Sequence, residues 1–148
     1  MDVELTSGTG THDGEHPTIF INADHQARIE ALAERAMERN PALANRLLDE
    51  IARARIVAPA DFPRTAADVG SRVTYRDETT GLKRAMVLVF PEDADVTRQH
   101  VSVVTPLGVA LLGLQRGQEF YWDARANPQW KLTVTNVEPP QRAREWES

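Results

Sequence analysis

Val101-Ser-Val-Val-Thr-Pro-Leu-Gly-Val-Ala-Leu-Leu-Gly-Leu-Gln-Arg-Gly-Gln-Glu-Phe120 is the most informative stretch of the chain. It compresses a β-favouring run (101–104), a threonine and proline that open a helix (106–112), a Gly-bearing turn (114–117) and a second β-favouring run (119–123) into one short stretch. A six- or seven-residue apolar helix between two strands is stable only when packed on a sheet, so this stretch implies an α+β domain. The sequence on either side supplies the sheet. Upstream, 72–76 alternates, with Val73 and Tyr75 on one face, and the polar turn 77–81 leads into the apolar run 84–90, a pair that reads as a hairpin. Downstream, 130–137 alternates through Trp130, Leu132 and Val134 until Asn136 disturbs the pattern. An antiparallel sheet with one short helix packed on it is the expected closure, over residues 70–139.

Ahead of this unit the period changes from two to between three and four. Ile29, Leu32, Ala33, Ala36 and Met37 recur along one side of 24–39, with Arg28, Glu30, Glu34, Arg35 and Glu38 on the others. Asn40-Pro41 provides an N-cap and a proline at the first helical position, so a second helix starts almost without a loop and runs to about Ile56. Its Ala44, Leu47, Leu48, Ile51 and Ala54 share a face. The two form a short antiparallel helical hairpin, a coiled-coil-like pair about 22 Å long. On spacing alone this pair is a packing element with a solvated charged face. Residues 18–21 favour β structure and precede Asn22 and Asp24, either of which can cap the first helix. The expected organisation is a tail over 1–16, the short strand and helical hairpin over 17–58, a proline-bearing linker over 59–69, the sheet domain over 70–139 and a second tail over 140–148.

The chain has 148 residues, 26% of them charged and none of them cysteine. Disulfides, thiolate metal sites and thiol nucleophiles are thereby excluded. Its net charge is −5, yet 22–58 balances six acids against six arginines and 69–138 balances eight against eight, which leaves the excess in the tail and linker. Without a basic stripe, direct nucleic-acid binding is not expected. No apolar run approaches the ~20 residues of a membrane-spanning helix, and no basic-then-apolar leader follows Met1, so cytoplasm is the expected compartment. The signatures of phosphate loops, dinucleotide sites, zincins and nucleophile elbows are absent, so no enzyme, cofactor or metal is expected. Glu92, Asp93 and Asp95 read as a solvated loop. His12 and His16 read as tail residues, His25 and His100 as boundary residues, Trp130 as core and Trp146 as a terminal residue.

Four pieces in this order, Pro17-Thr-Ile-Phe-Ile21, Ile56-Val-Ala-Pro59, Ser71-Arg-Val73 and Thr105-Pro-Leu-Gly-Val-Ala-Leu-Leu-Gly-Leu114, resemble the Rnk family, the regulators of nucleoside diphosphate kinase, relatives of the transcript-cleavage factors GreA and GreB. The resemblance implies an FKBP-like C-terminal domain that docks on RNA polymerase at the rim of its secondary channel, with the helical hairpin pointing into it. In the Gre factors a Ser-Pro step before the short helix lies in the docking region; Thr105 and Pro106 match it here, followed by Leu107 and Gly108. The hairpin tip departs from the cleavage factors, whose long coiled coil delivers two carboxylates to the catalytic Mg²⁺. Here Glu38 is a single acid beside Arg39, Asn40 and Pro41. The expectation is docking without cleavage, in competition with the Gre factors, and an indirect effect on nucleoside diphosphate kinase. Direct regulation of that kinase is the alternative. A prolyl isomerase ranks lower, because fold does not carry activity and 6% aromatic residues leave little to line such a pocket.

Overall fold

The computed structural model describes residues 17–121 and 131–140. Strand β1 (Phe20–Asn22) leads directly into helix α1 (Ala23–Ala36), because the Asn22 side chain accepts a hydrogen bond from the Asp24 N–H at 2.9 Å and so satisfies one of the helix's free amides. Helix α2 (Pro41–Arg53) starts in the same way: Asn40 accepts from the Leu43 N–H at 3.2 Å and Pro41 fills the first helical position. Ile29 and Ala33 of α1 face Leu43, Ala44, Leu47 and Ile51 of α2 as buried stripes.

The second helix is shorter than its apolar spacing suggests. Ala54 turns to an extended conformation and β2 (Arg55–Val57) pairs parallel with β1, Ile21 opposite Ile56. β-Branched Ile56 and Val57 favour strand over helix, and the Arg55 N–H bonds the Ile19 carbonyl at 2.9 Å. The helical pair is therefore a β-α-α-β unit with its two ends tied together.

The larger sheet has the order β5-β4-β3-β7-β6, built from β3 (Arg72–Asp77), β4 (Lys83–Val89), β5 (His100–Ser102), β6 (Glu119–Tyr121) and β7 (Lys131–Glu138). The β3–β4 hairpin is present, with Val73 opposite Met86. The antiparallel expectation is corrected at one edge: β5 runs parallel to β4, which makes the sheet mixed. The reversal comes from two single-turn 3₁₀ segments, Pro91–Asp93 and Val96–Arg98, followed by Gln99 at φ 61°, which carry the chain back alongside β4 in the same sense. The disturbance at Asn136 has a structural counterpart. Thr74 faces Asn136 while Tyr75 faces Val134, so Thr135 is an extra residue in β7, and its hydroxyl donates to the Thr74 carbonyl at 3.2 Å. The strand expected over 101–104 ends at Ser102, and Val103 and Val104 turn toward helix α3 (Pro106–Leu111). Trp122, Trp130, Trp146, His12 and His16 lie outside the described residues.

Both halves share a single core. Ile19, Ile21, Ile29 and Leu47 belong to the same cluster as Val73, Leu88, Val109, Leu111, Leu132 and Val134. The connection over 59–69 is built into this core: Ala66 and Ala67 are buried, the Ala67 N–H donates to the Leu114 carbonyl at 3.0 Å and the Gly113 N–H to the Ala67 carbonyl at 2.7 Å. Gly113, at φ 77°, lets β1 lie against the sheet half. A Cβ there would stand 2.5 Å from the Phe20 carbonyl oxygen.

Candidate docking groove

Thr105 organises the segment that the sequence singles out. Its hydroxyl accepts from the Gly108 N–H at 3.0 Å, capping α3, and donates to the Ser102 carbonyl at 2.8 Å, which fixes the turn out of β5. The Ser102 hydroxyl in turn accepts from the Val104 N–H at 3.0 Å. Pro106 is exposed at the first helical position, Leu107 packs against the core, and Gly108 is buried against the backbone of Ser102 and Val103. Thr105 and Pro106 are therefore the accessible half of the Thr105–Gly108 quartet.

The end of the helical pair lies beside them. The chain leaves α1 through a turn closed by the Asn40 N–H donating to the Ala36 carbonyl at 2.8 Å, which leaves Glu38, Arg39, Asn40 and Pro41 exposed. A groove of about 640 Å³ runs between this turn and the β5–α3 corner. Leu32, Ala36, Leu43, Pro91, Val104 and Pro106 supply its apolar lining, and Arg35, Glu38, Arg39, Asn40, Ser102 and Thr105 its polar lining. Five of the eight site residues named from sequence thus meet in one groove: Glu38, Arg39, Asn40, Thr105 and Pro106. Pro41, Leu107 and Gly108 are not part of its lining: Pro41 is exposed at the start of α2, Leu107 packs against the core and Gly108 is buried. Arg35, Leu43, Pro91 and Val104 were not legible as groove residues, because no local motif ties 32–43 to 91–106.

The loop carboxylates do other work. Asp95 accepts from the Thr97 hydroxyl and N–H, and those bonds hold its carboxyl below the usual carboxylate range; Glu92 pairs with Arg28. Among the described residues no three His, Asp or Glu side chains gather as metal ligands.

A second polar cluster, which the sequence did not reveal, pins the helical pair to the sheet. Asp68 is buried; it accepts from the Asn22 side-chain amide at 3.0 Å and from the Val69 N–H at 2.7 Å, with His25 Nε2 3.8 Å away. His25 meets Phe90 edge-on at 5.5 Å, and the Arg28 guanidinium stands over the same ring. Burial raises the Asp68 pKa above its ordinary value, outweighing the Asn22 hydrogen bond and the His25 charge. An acid with a raised folded-state pKa stabilises the fold below the unfolded value of 3.8, and that contribution is lost as pH rises through the folded pKa. Urea melts from pH 7 down toward 4 should therefore show the wild type gaining stability relative to Asp68→Asn as pH falls. A constant difference between the two proteins would contradict the assignment.

This build, a β-α-α-β unit closed on a mixed sheet whose short helix is opened by Thr-Pro, falls in a known class. Residues 63–139 match the family model described as "Transcription elongation factor, GreA/GreB, C-term", and residues 17–57 match "Rnk N-terminus". The chain belongs to the Rnk family, within the wider group of GreA/GreB-type proteins. It is 32% identical over 122 residues to the "Regulator of nucleoside diphosphate kinase" of Escherichia coli (strain K12), covering 82% of this chain and 90% of that protein. It is 35% identical over 107 residues to the transcription elongation factor GreA of Syntrophobacter fumaroxidans, covering 70% of this chain and 64% of that one. The solved structure of "Prokaryotic transcription elongation factor GreA/GreB from Nitrosomonas europaea" superposes with a TM-score of 0.65 at 30% identity, covering 83% of this chain and 99% of the other. These relatives carry the names of regulators and elongation factors. Among the described residues no helix is long and apolar enough to cross a membrane.

Proposed function

We propose that this chain is a non-catalytic, cytoplasmic regulator that binds RNA polymerase near its secondary channel, competes there with Gre-type cleavage factors and affects nucleoside diphosphate kinase indirectly. The observation that carries the reading is the groove in which Thr105 and Pro106 meet Glu38, Arg39 and Asn40. Its Thr-Pro corner is held rigid by two hydrogen bonds through one hydroxyl, which favours a preorganised contact. The FKBP-like description of the sheet half and the coiled-coil description of the helical pair belong to the same reading.

Docking without cleavage follows from length and charge. Helix α1 has 14 residues and α2 has 13, so each extends only about 20 Å. The turn between them offers one carboxylate, Glu38, where holding a catalytic Mg²⁺ calls for two close together. Direct regulation of nucleoside diphosphate kinase is the second reading, supported by the name of the Escherichia coli relative.

A backtracked transcription complex tests the proposal. The chain alone should leave the rate of transcript cleavage unchanged and, in excess, should suppress cleavage stimulated by a Gre factor. Cleavage accelerated by the chain itself would overturn the non-catalytic reading. Undiminished Gre-stimulated cleavage at saturating chain, together with altered activity of purified nucleoside diphosphate kinase, would replace the proposal with the direct one.

A further inference from the structure

We infer that the end of the helical pair is itself half of the docking surface, and that the polymerase segment it receives carries a carboxylate beside an apolar face. The inference rests on the polymerase-binding reading and adds to it the chemistry of the occupant. Leu32, Leu43 and Val104 give the groove apolar surface drawn from both halves of the molecule, so anything seated against Thr105 also touches the helical pair. Arg35 and Arg39, four residues apart, line the same groove and are exposed.

Among the described residues neither arginine has a carboxylate within ion-pair distance, which is equally true of Arg55, Arg72, Arg84 and Arg116; what sets Arg35 and Arg39 apart is that both line one apolar groove. Complementing the helix dipole accounts for Arg35, in the last turn of α1, but Arg39 lies beyond that turn. Glu38 is the single acid of the groove, so its charge favours an anionic occupant. A guanidinium at the edge of an apolar groove can lay its stem on the floor and bind a carboxylate with two parallel hydrogen bonds, a pairing that strengthens as the partner excludes water. On this account the turn at 37–40 grips the rim of the polymerase instead of probing beyond it.

The test is equilibrium binding to core RNA polymerase by the full chain and by Arg35→Glu/Arg39→Glu, with Lys83→Glu/Arg84→Glu as a control of equal net charge at the far end of β4. All four side chains are exposed, and matching thermal melts establish that the variants fold. The groove variant should bind at least about tenfold more weakly and the control should bind as the wild type does. Arg35→Lys/Arg39→Lys should recover part of the loss. Equal loss in both charge-reversed variants would reduce the effect to net charge and overturn the inference. So would full affinity of the groove variant while Pro106→Glu fails to bind, a result that leaves polymerase docking standing. A wild-type chain that does not bind polymerase overturns both readings.

Discussion

Replacing Gly108 by alanine is expected to destabilise the protein by about 3 kcal/mol or more, although the same change inside an exposed helix gains up to about 1 kcal/mol. A Cβ at Gly108 would stand 2.0 Å from the Ser102 carbonyl oxygen and 2.7 Å from the Val103 Cα. Both are backbone atoms, so no side-chain rotation can relieve the overlap. What must move is the β5–α3 corner, and with it the Ser102 carbonyl that receives the Thr105 hydroxyl. Stability and docking should therefore fall together. The denaturation midpoint in urea and the affinity for core polymerase read the two effects; an alanine variant as stable as the wild type would show that α3 does not pack this tightly on β5.

Glu50→Ala should cost about 3 kcal/mol, by a different route. Glu50 is 3% exposed and accepts from Arg46 Nε at 2.8 Å and from Arg53 Nη2 at 2.9 Å. Arg46 also reaches across to the sheet, donating to the Tyr121 carbonyl at 2.7 Å with its guanidinium 4.3 Å from the centre of the Phe120 ring. Removing the carboxylate takes from the largely enclosed Arg46 and from Arg53 the buried anion they share, and the expected result is a loosened contact between α2 and β6. Glu50→Gln keeps the shape and one acceptor, so its loss should be clearly smaller. Denaturant unfolding compares the three proteins, and equal stability of the alanine variant would mean that the cluster is solvated.

These two residues also mark where sequence stops short of structure. Both helix starts were legible because capping is local: Asn22 and Asn40 lie within three residues of the amides they satisfy. The β3–β4 hairpin was legible because its turn and both strands are contiguous. The direction of β5 was not, because alternation gives the face of a strand but not its sense, and the reversal depends on Gln99 adopting a left-handed conformation. Strand β2 was hidden because Ala54 continues the apolar spacing of α2 while its pairing partner, β1, lies more than thirty residues away. Glu50 counted as one of many balanced surface charges. The signal that could have singled it out is its spacing, four residues after Arg46 and three before Arg53, on the face occupied by Leu47 and Ile51.

The site divides in the same way. Thr105-Pro106 and the turn after α1 were each visible as local motifs, but their meeting was not, since more than sixty residues separate them. It depends on how the helical pair closes on the sheet: through the shared core, the β1–Gly113 contact and the buried Asp68 cluster. That closure turns two separate candidates into a single surface able to contact one partner.

Polymerase docking stands or falls on binding of the purified 148-residue chain to core RNA polymerase, with and without an excess of a Gre factor. The expected result is saturable binding that the Gre factor abolishes, as the proposed sharing of one site at the channel rim requires. Simultaneous binding of the two proteins, or no binding at concentrations that saturate the Gre factor, would contradict it.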